Sequence, residues 1–301
     1  TLQDGSVFTA LMSDTLNLKA TTQNTFNLTL QPVPFTVSAI ISPWGDGADM
    51  DEELGMISIN PDPTTGFNPG QKIGMYAVSG SGIYATEFRY ENLSWKNENP
   101  LYWEITGSPA DSFAGHPALP DWPFNYKIEW SVTTDQQTGM AENDLLVSRN
   151  VKLLTRGKPA NLSFEHQMSA VTINLSPGTG ITETELKQAS VKLIGLYTKG
   201  NVDIRNGNID NQAAPADIIP GKNGTTHQAI VFPQTLSPGQ LIATVTFNNN
   251  VFYCYAHNTN GFIFEKGKHH ILNLKIHLTE IEMSGTVAPW GDGGSHDFEI
   301  H

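Results

Sequence analysis

Apolar and polar residues alternate through much of this chain. In 26–30 (FNLTL), 35–41 (FTVSAII), 170–175 (AVTINL) and 241–247 (LIATVTF), apolar positions mostly recur at every second residue between hydroxyl-bearing or neutral ones. That period of two is the signature of a half-buried β-strand. Between such runs lie turn clusters at 31–34 (QPVP), 68–70 (NPG), 79–82 (SGSG), 176–180 (SPGTG), 221–224 (GKNG) and 237–239 (SPG). Their prolines fix φ and their glycines supply positive φ. Many strands joined by short turns predict an all-β chain built of sandwiches. The helical candidate at 182–189 carries a capping box at Thr182 and Glu185, but it is too short to organise a domain.

One word of the pattern occurs twice. Residues 43–47 and 289–293 both read PWGDG, and their flanks align without a gap at an offset of 289 − 43 = 246. Phe35, Val37 and Ile41 then fall on Ile281, Met283 and Val287, Ser38 on Ser284, and Asn27 and Leu28 on Asn273 and Leu274. Aligned apolar periodicity around an identical word marks a duplicated strand pair with its exit turn. Residues 1–58 therefore read either as the first strands of an N-terminal domain or as the trailing half of a preceding one. The aromatic after each strand-ending proline suits the open end of a sandwich, and Gly-Asp-Gly then turns the chain away.

Length and composition narrow the picture. At 301 residues the chain exceeds one typical domain, so two are expected. The stretch 154–159 (LTRGKP) is polar, breaks strand pairing at Gly157 and Pro159, and precedes a fresh apolar run at Leu162 and Phe164. It divides the chain into 1–158 and 159–301. Residues 97–125 hold Pro100, Pro109, Pro117, Pro120 and Pro123 with Trp103 and Trp122, and read as an elaborated loop packed by its own aromatics. A net charge of −13, with no Lys/Arg stripe, argues against nucleic acid as a partner. No apolar run approaches about 18 residues, so no membrane-spanning helix is expected. A chain starting at Thr1 within β-type sequence, without a signal peptide, reads as a mature or trimmed form whose leader has been removed, and a cytosolic protein would look the same.

Candidate chemistry is sparse, and no residue is expected to be catalytic. Cys254 is the single cysteine, lies in a strand, and reads as a small buried core residue. Asp46, Asp49, Asp51, Glu52 and Glu53 offer oxygen ligands for Ca²⁺ without the spacing of a calcium loop, so a solvated acidic turn is favoured. His269 and His270 are adjacent on a strand and point to opposite faces, which disfavours a shared metal even with His277 nearby. His166 reads as a core-edge histidine held by a backbone partner. No metal or cofactor is expected. Tyr126, Ile128, Trp130 and Val132 should share one strand face and fill the core. Trp122, in the loop, remains the aromatic best placed to stack on a sugar ring. Two carboxylates among Asp111, Asp121 and Glu129 near Trp122 keep glycoside hydrolysis as a remote alternative.

Several pieces in succession carry a resemblance. They are 67–77 (FNPGQKIGMYA), Tyr102 with Trp103, 135–137 (DQQ) followed by 143–147 (NDLLV), 162–171 (LSFEHQMSAV), 193–200 (LIGLYTKG) and 264–269 (FEKGKH). From about Gly66 to Trp290 the chain resembles the Bacteroidales fimbrillin (FimA/Mfa-like) family of pilus subunits. The resemblance implies two tandem transthyretin-like (Greek-key) β-sandwich domains, and a cell-surface subunit of a fimbria whose partners are other fimbrial subunits. It also implies export as a lipoprotein, with outer-membrane attachment through a lipid anchor upstream. In this family a protease that cuts after arginine can remove an N-terminal strand, and a strand from a neighbouring subunit fills the groove. On that basis the expected assembly strands are the terminal pair, with Ile271, Leu272, Leu274 and Ile276 on one and Ile281, Met283 and Val287 on the other. Surface glycans or proteins are the alternative partners, with Trp122 as the expected glycan contact.

Overall fold

The computed structural model describes residues 32–42, 66–118, 126–256 and 261–277, and the strands Ile281–Ala288 and Ser295–Phe298 by their backbone. Both PWGDG words, the Asp46 to Glu53 cluster and Trp122 lie outside the described residues. In chain order the strands are β1 Val37–Ile41, β2 Lys72–Ser79, β3 Gly82–Glu91, β4 Ser94–Lys96, β5 Ala110–His116, β6 Lys127–Ser131, β7 Leu146–Leu154, β8 Ala160–His166, β9 Ser169–Pro177 and β10 Ser190–Asp203. They continue with β11 Ile209–Ile218, β12 Gly221–Asn223, β13 Thr226–Val231, β14 Gln234–Leu236, β15 Leu241–Phe247, β16 Asn250–Tyr255, β17 Phe262–Phe264, β18 His269–Ile276, β19 Ile281–Ala288 and β20 Ser295–Phe298. Two four-residue helices complete the set, α1 Trp103–Thr106 and α2 Glu183–Leu186, the second closed by the expected Thr182 and Glu185 capping box. The fold is all-β, as the alternation predicts.

Four sheets result. A seven-stranded sheet runs β1-β8-β7-β5-β2-β3-β4, and it curls until Cα atoms of its two edges, β1 and β4, come within 8 Å. One core takes side chains from the sheet: Ala39, Ile73, Met75, Phe88, Tyr90, Ala110, Ala114, Leu146, Val151, Leu162 and Phe164, joined by Phe35, Phe67 and Trp103, with Trp95 of β4 packed against it. A five-stranded sheet orders β11-β10-β15-β16 with β6 against the far end of β10, and a six-stranded sheet orders β12-β13-β9-β18-β19-β20. These two share the larger core, in which Leu193, Val202, Val245 and Cys254 meet Val171, Ile173, Ile230, Leu272 and Leu274. The pair β14-β17 is a small separate sheet. Gly261 leads into it at φ +75°, and a Cβ there would lie 1.9 Å from the Leu236 carbonyl oxygen, so only glycine fits.

Two connections tie the cores together. The segment 162–171 ends β8 in the first core with Leu162 and Phe164, then begins β9 in the second with Met168, Ala170 and Val171. Strand β6 lies between two strands of the first sheet in sequence, yet pairs with β10 and puts Ile128 and Trp130 into the second core. The division expected at 158/159 falls in the turn between β7 and β8. Strand β8 pairs with β7 through Leu146 and Val147, and with β1 along five residues. Both units share a topological feature: β1 runs parallel to β8, and β18 runs parallel to β9.

The reading of 97–125 as an elaborated loop needs correction. Residues 110–116 form β5, which sits between β2 and β7 in the seven-stranded sheet. Pro109 and Pro117 stand just outside its ends, where neither removes a ladder N–H. Trp103 packs beyond its own loop as well, stacked on Phe35 with ring centroids 3.9 Å apart and planes at 16°.

Candidate assembly site

The terminal strand pair is built on β18. Its partner β9 runs parallel to it from His269 opposite Ala170 to Ile276 opposite Pro177, and β19 runs antiparallel on the other side. Leu272, Leu274 and Ile276 are fully buried in the second core, while Ile271 is half-buried and Lys275 exposed. On the side of the sheet that carries Ile271, Asn273 accepts a hydrogen bond from the Asn174 amide at 3.1 Å. Met283 is paired opposite Leu274, Ile281 opposite Ile276 and Val287 opposite His270, and β20 closes the sheet beyond β19. Thus β18 and β19 are both interior strands, β19 held between β18 and the outer strand β20.

At the other end of the repeat, β1 is an edge strand. Its ladder with β8 sets Val37 opposite Ala160, Ser38 opposite Asn161 and Ile41 opposite Phe164. Ala39 is buried, Val37 and Ile41 pack partly against the core, and Ile40 is 50% exposed. The Ser38 hydroxyl donates to the Asn161 side-chain oxygen at 2.6 Å, and Ser42 and Ser163 hydroxyls lie 3.0 Å apart. Before β1, the Phe35 N–H donates to the Leu101 carbonyl at 2.8 Å, so the strand's root is held by α1 and its approach. Since β4 lies close on the side away from β8, β1 occupies a slot between two strands of the curled sheet.

The remaining candidates have structural surroundings. Cys254 is buried on β16, and burial pushes its thiol up to about 12. His269 bonds the Thr172 hydroxyl at 2.8 Å, whereas His270 accepts from the Glu265 N–H at 3.0 Å and packs edge-on against Phe262 and Phe264. The adjacent histidines thus serve opposite faces. Burial pulls His269, His270 and His227 down to about 4, so all three are neutral imidazoles at neutral pH. No group of three or more His, Cys, Asp or Glu among the described residues could hold a metal ion. His166 pairs with the Asp144 carboxylate at 2.5 Å, which the turn before β7 brings to the core edge.

Trp103 and Trp130 are buried, and the Trp130 indole donates to the Asn143 carbonyl at 2.9 Å, so neither face is open to a ligand. Asp111 lies on β5 of the first sheet, held by Lys152 and the Leu153 N–H, while Glu129 lies on β6 of the second. No helix among the described residues is long and apolar enough to cross a membrane.

The two cores and the sheets around them define an all-β class of fold. A fimbrillin-like family model matches residues 62–290, and the chain belongs to that family. Its fold is similar to that of a candidate cell-adhesion protein from Bacteroides uniformis, with a TM-score of 0.64 at 19% identity over 74% of this chain and 93% of that one. A candidate cell-adhesion protein from Bacteroides ovatus aligns over 90% of this chain and 100% of its own, with a TM-score of 0.59 at 16% identity. No curated protein matches.

Proposed function

We propose that this chain is a non-enzymatic, extracellular subunit of a cell-surface fimbria involved in adhesion, made of two transthyretin-like sandwiches. The division between them lies after β8, since β1 to β8 contain the whole of the first curled sheet. Subunits join when β19 of one chain takes the place of β1 in the next. One observation carries this reading. The repeat that aligns β19 with β1 reproduces what the β1 slot demands, position by position.

Phe35, Val37, Ala39 and Ile41 become Ile281, Met283, Gly285 and Val287. The small residue falls at the site where Ala39 is only 3% exposed. Ser284 falls at Ser38, whose hydroxyl bonds Asn161. An incoming β19 would therefore keep the alternation, the tight position and the polar tie, while gaining the backbone ladder along β8. The energetic cost is displacement of the β1 segment, which buries Phe35 and Ala39 and half-buries Val37 and Ile41, together with release of β19 from its ladders with β18 and β20. The ladder gained along β8 and the side chains seated in the slot would have to offset both. Trimming after arginine does not supply the opening within these residues, because no arginine precedes Arg89, which lies inside β3. Exchange is then a competition between two similar strands.

A chain lacking residues 1–42 should bind a synthetic peptide of residues 279–293 in one-to-one ratio with a rise in Tm, and a peptide carrying Gly285→Trp should not bind. Failure of the truncated, folded chain to bind the unaltered peptide would remove β1 replacement as the assembly step.

A further inference from the structure

A second interaction surface lies on the other unit. Of 301 residues, 47 are charged (17 Lys or Arg and 30 Asp or Glu), yet the 42 residues from 223 to 264 contain none. That neutral stretch contains the hairpin of β15 and β16, closed by Asn248 and Asn249 at φ 47° and 62°. Such a two-residue turn matches the twist of the strands it joins. Among the described residues β16 hydrogen-bonds to β15 alone, with Cα atoms of β19 within 8 Å of it, so in pairing it is an edge.

Edge strands ordinarily carry features that block further pairing, such as short length, charge, proline or a bulge. The other described edges do. Strand β4 has three residues including Lys96, β12 has three including Lys222, and β14 and β17 have three each. Strand β6 carries Lys127 and Glu129, and β20 has four residues including Asp297. Strand β11 carries Asp210, Pro215 and Asp217, with its ladder broken by register shifts. Leaving aside β1, already assigned to exchange, β16 alone among them has six residues, no charge, no proline and no glycine. Val251 and Tyr253 are 44% and 46% exposed, and the Tyr253 and Tyr255 rings stack with centroids 6.4 Å apart. Thr246 and Thr244 stand opposite Val251 and Tyr253 on β15 and extend the neutral face inward.

We propose that β16 is a self-association edge, on which the β16 strands of two copies pair antiparallel about Tyr253 and join their five-stranded sheets into one. The occupant is a second copy for two reasons. A two-fold axis at Tyr253 sets Tyr253 against itself and Val251 against Tyr255, which are favourable aromatic and aromatic with β-branched cross-strand pairs. Each copy also carries a net charge of −13, so two copies approach at least cost where a long neutral segment reaches the surface. This contact is isologous and closes at two, whereas strand exchange is head-to-tail and open-ended. It is independent of the β1 reading, and the two together would pair fimbriae side by side.

Sedimentation of the full chain, taken before any strand exchange into polymer, over a concentration series tests it. The expected result is a monomer to dimer equilibrium that tightens as salt is raised, because screening weakens the repulsion between like-charged copies. Tyr253→Lys and, separately, Val251→Lys each should weaken the dimer at least tenfold with unchanged circular dichroism and Tm, while Tyr253→Phe should keep it. A chain that stays monomeric throughout, a dimer that loosens with salt, or oligomers untouched by both lysine variants would each overturn the proposal. Binding of other proteins or glycans at β16 by a monomeric chain would do so too.

Discussion

The buried histidines give the second unit a built-in sensitivity to acid. His227, His269 and His270 are each about 1–2% exposed, and burial is the leading cause that holds each near 4. In the unfolded chain an imidazole binds its proton near the ordinary value of about 6.5. Between those values the unfolded state carries more protons, so stability rises with pH. It is complete above about 6.5 and lost as pH falls toward about 4, at about 1.4 kcal/mol per pH unit for each histidine. Urea unfolding should show the midpoint falling steeply between pH 6.5 and 4.5, and less steeply in His269→Gln. A flat profile across that range would show the histidines to be protonated in the folded protein. Periodicity hides such residues. His270 shares the core side with Leu272, but a polar letter in an alternating run reads as a solvent position. Cys254 and Trp130 were legible as core because their side chains fit the pattern they interrupt nothing in.

At the scale of elements, most strands follow from alternation and turn chemistry. The 79–82 turn joins β2 to β3, with Ser79 opposite Gly82, and 170–175 and 241–247 fall inside β9 and β15. Strand β5 was hidden because prolines at both of its ends mimic loop composition, while the residues between them are small: Ala110, Ser112, Ala114 and Gly115. Their packing partners come from β2 and β7, which sequence proximity does not reveal. Strand β18 shows how alternation converts to energy. Leu274→Ala should lower stability by about 2–5 kcal/mol, through lost transfer energy and the cavity left in the core. Lys275→Ala, on the exposed side, should stay within about 0.5 kcal/mol. Denaturant titration of the two variants checks the contrast, and equal losses would mean that β18 is not seated on the second core as described.

For the whole molecule, the sequence made the class legible through the PWGDG repeat and the ordered fimbrillin-like pieces. It left the handedness of strand pairing hidden. Parallel neighbours such as β1 with β8, and β18 with β9, join residues about a hundred positions apart or more, and no local pattern encodes them. The same holds for the slot itself. Ser38 and Ser284 are equivalent by repeat, but only the β1 register shows that the partner of that position is Asn161. Under the proposed exchange, assembly would join a strand near the C-terminal end, β19, to a slot formed on β8 in the middle of the chain. The direct measurement is a disulfide trap between chains carrying Ser284→Cys and chains carrying Asn161→Cys, mixed during assembly, with native Cys254 buried and its thiol held up to about 12. The account predicts a covalent bond between position 284 of one chain and 161 of the next in the polymer, absent from monomer and suppressed by the 279–293 peptide. Polymer that forms fully without that cross-link would contradict it.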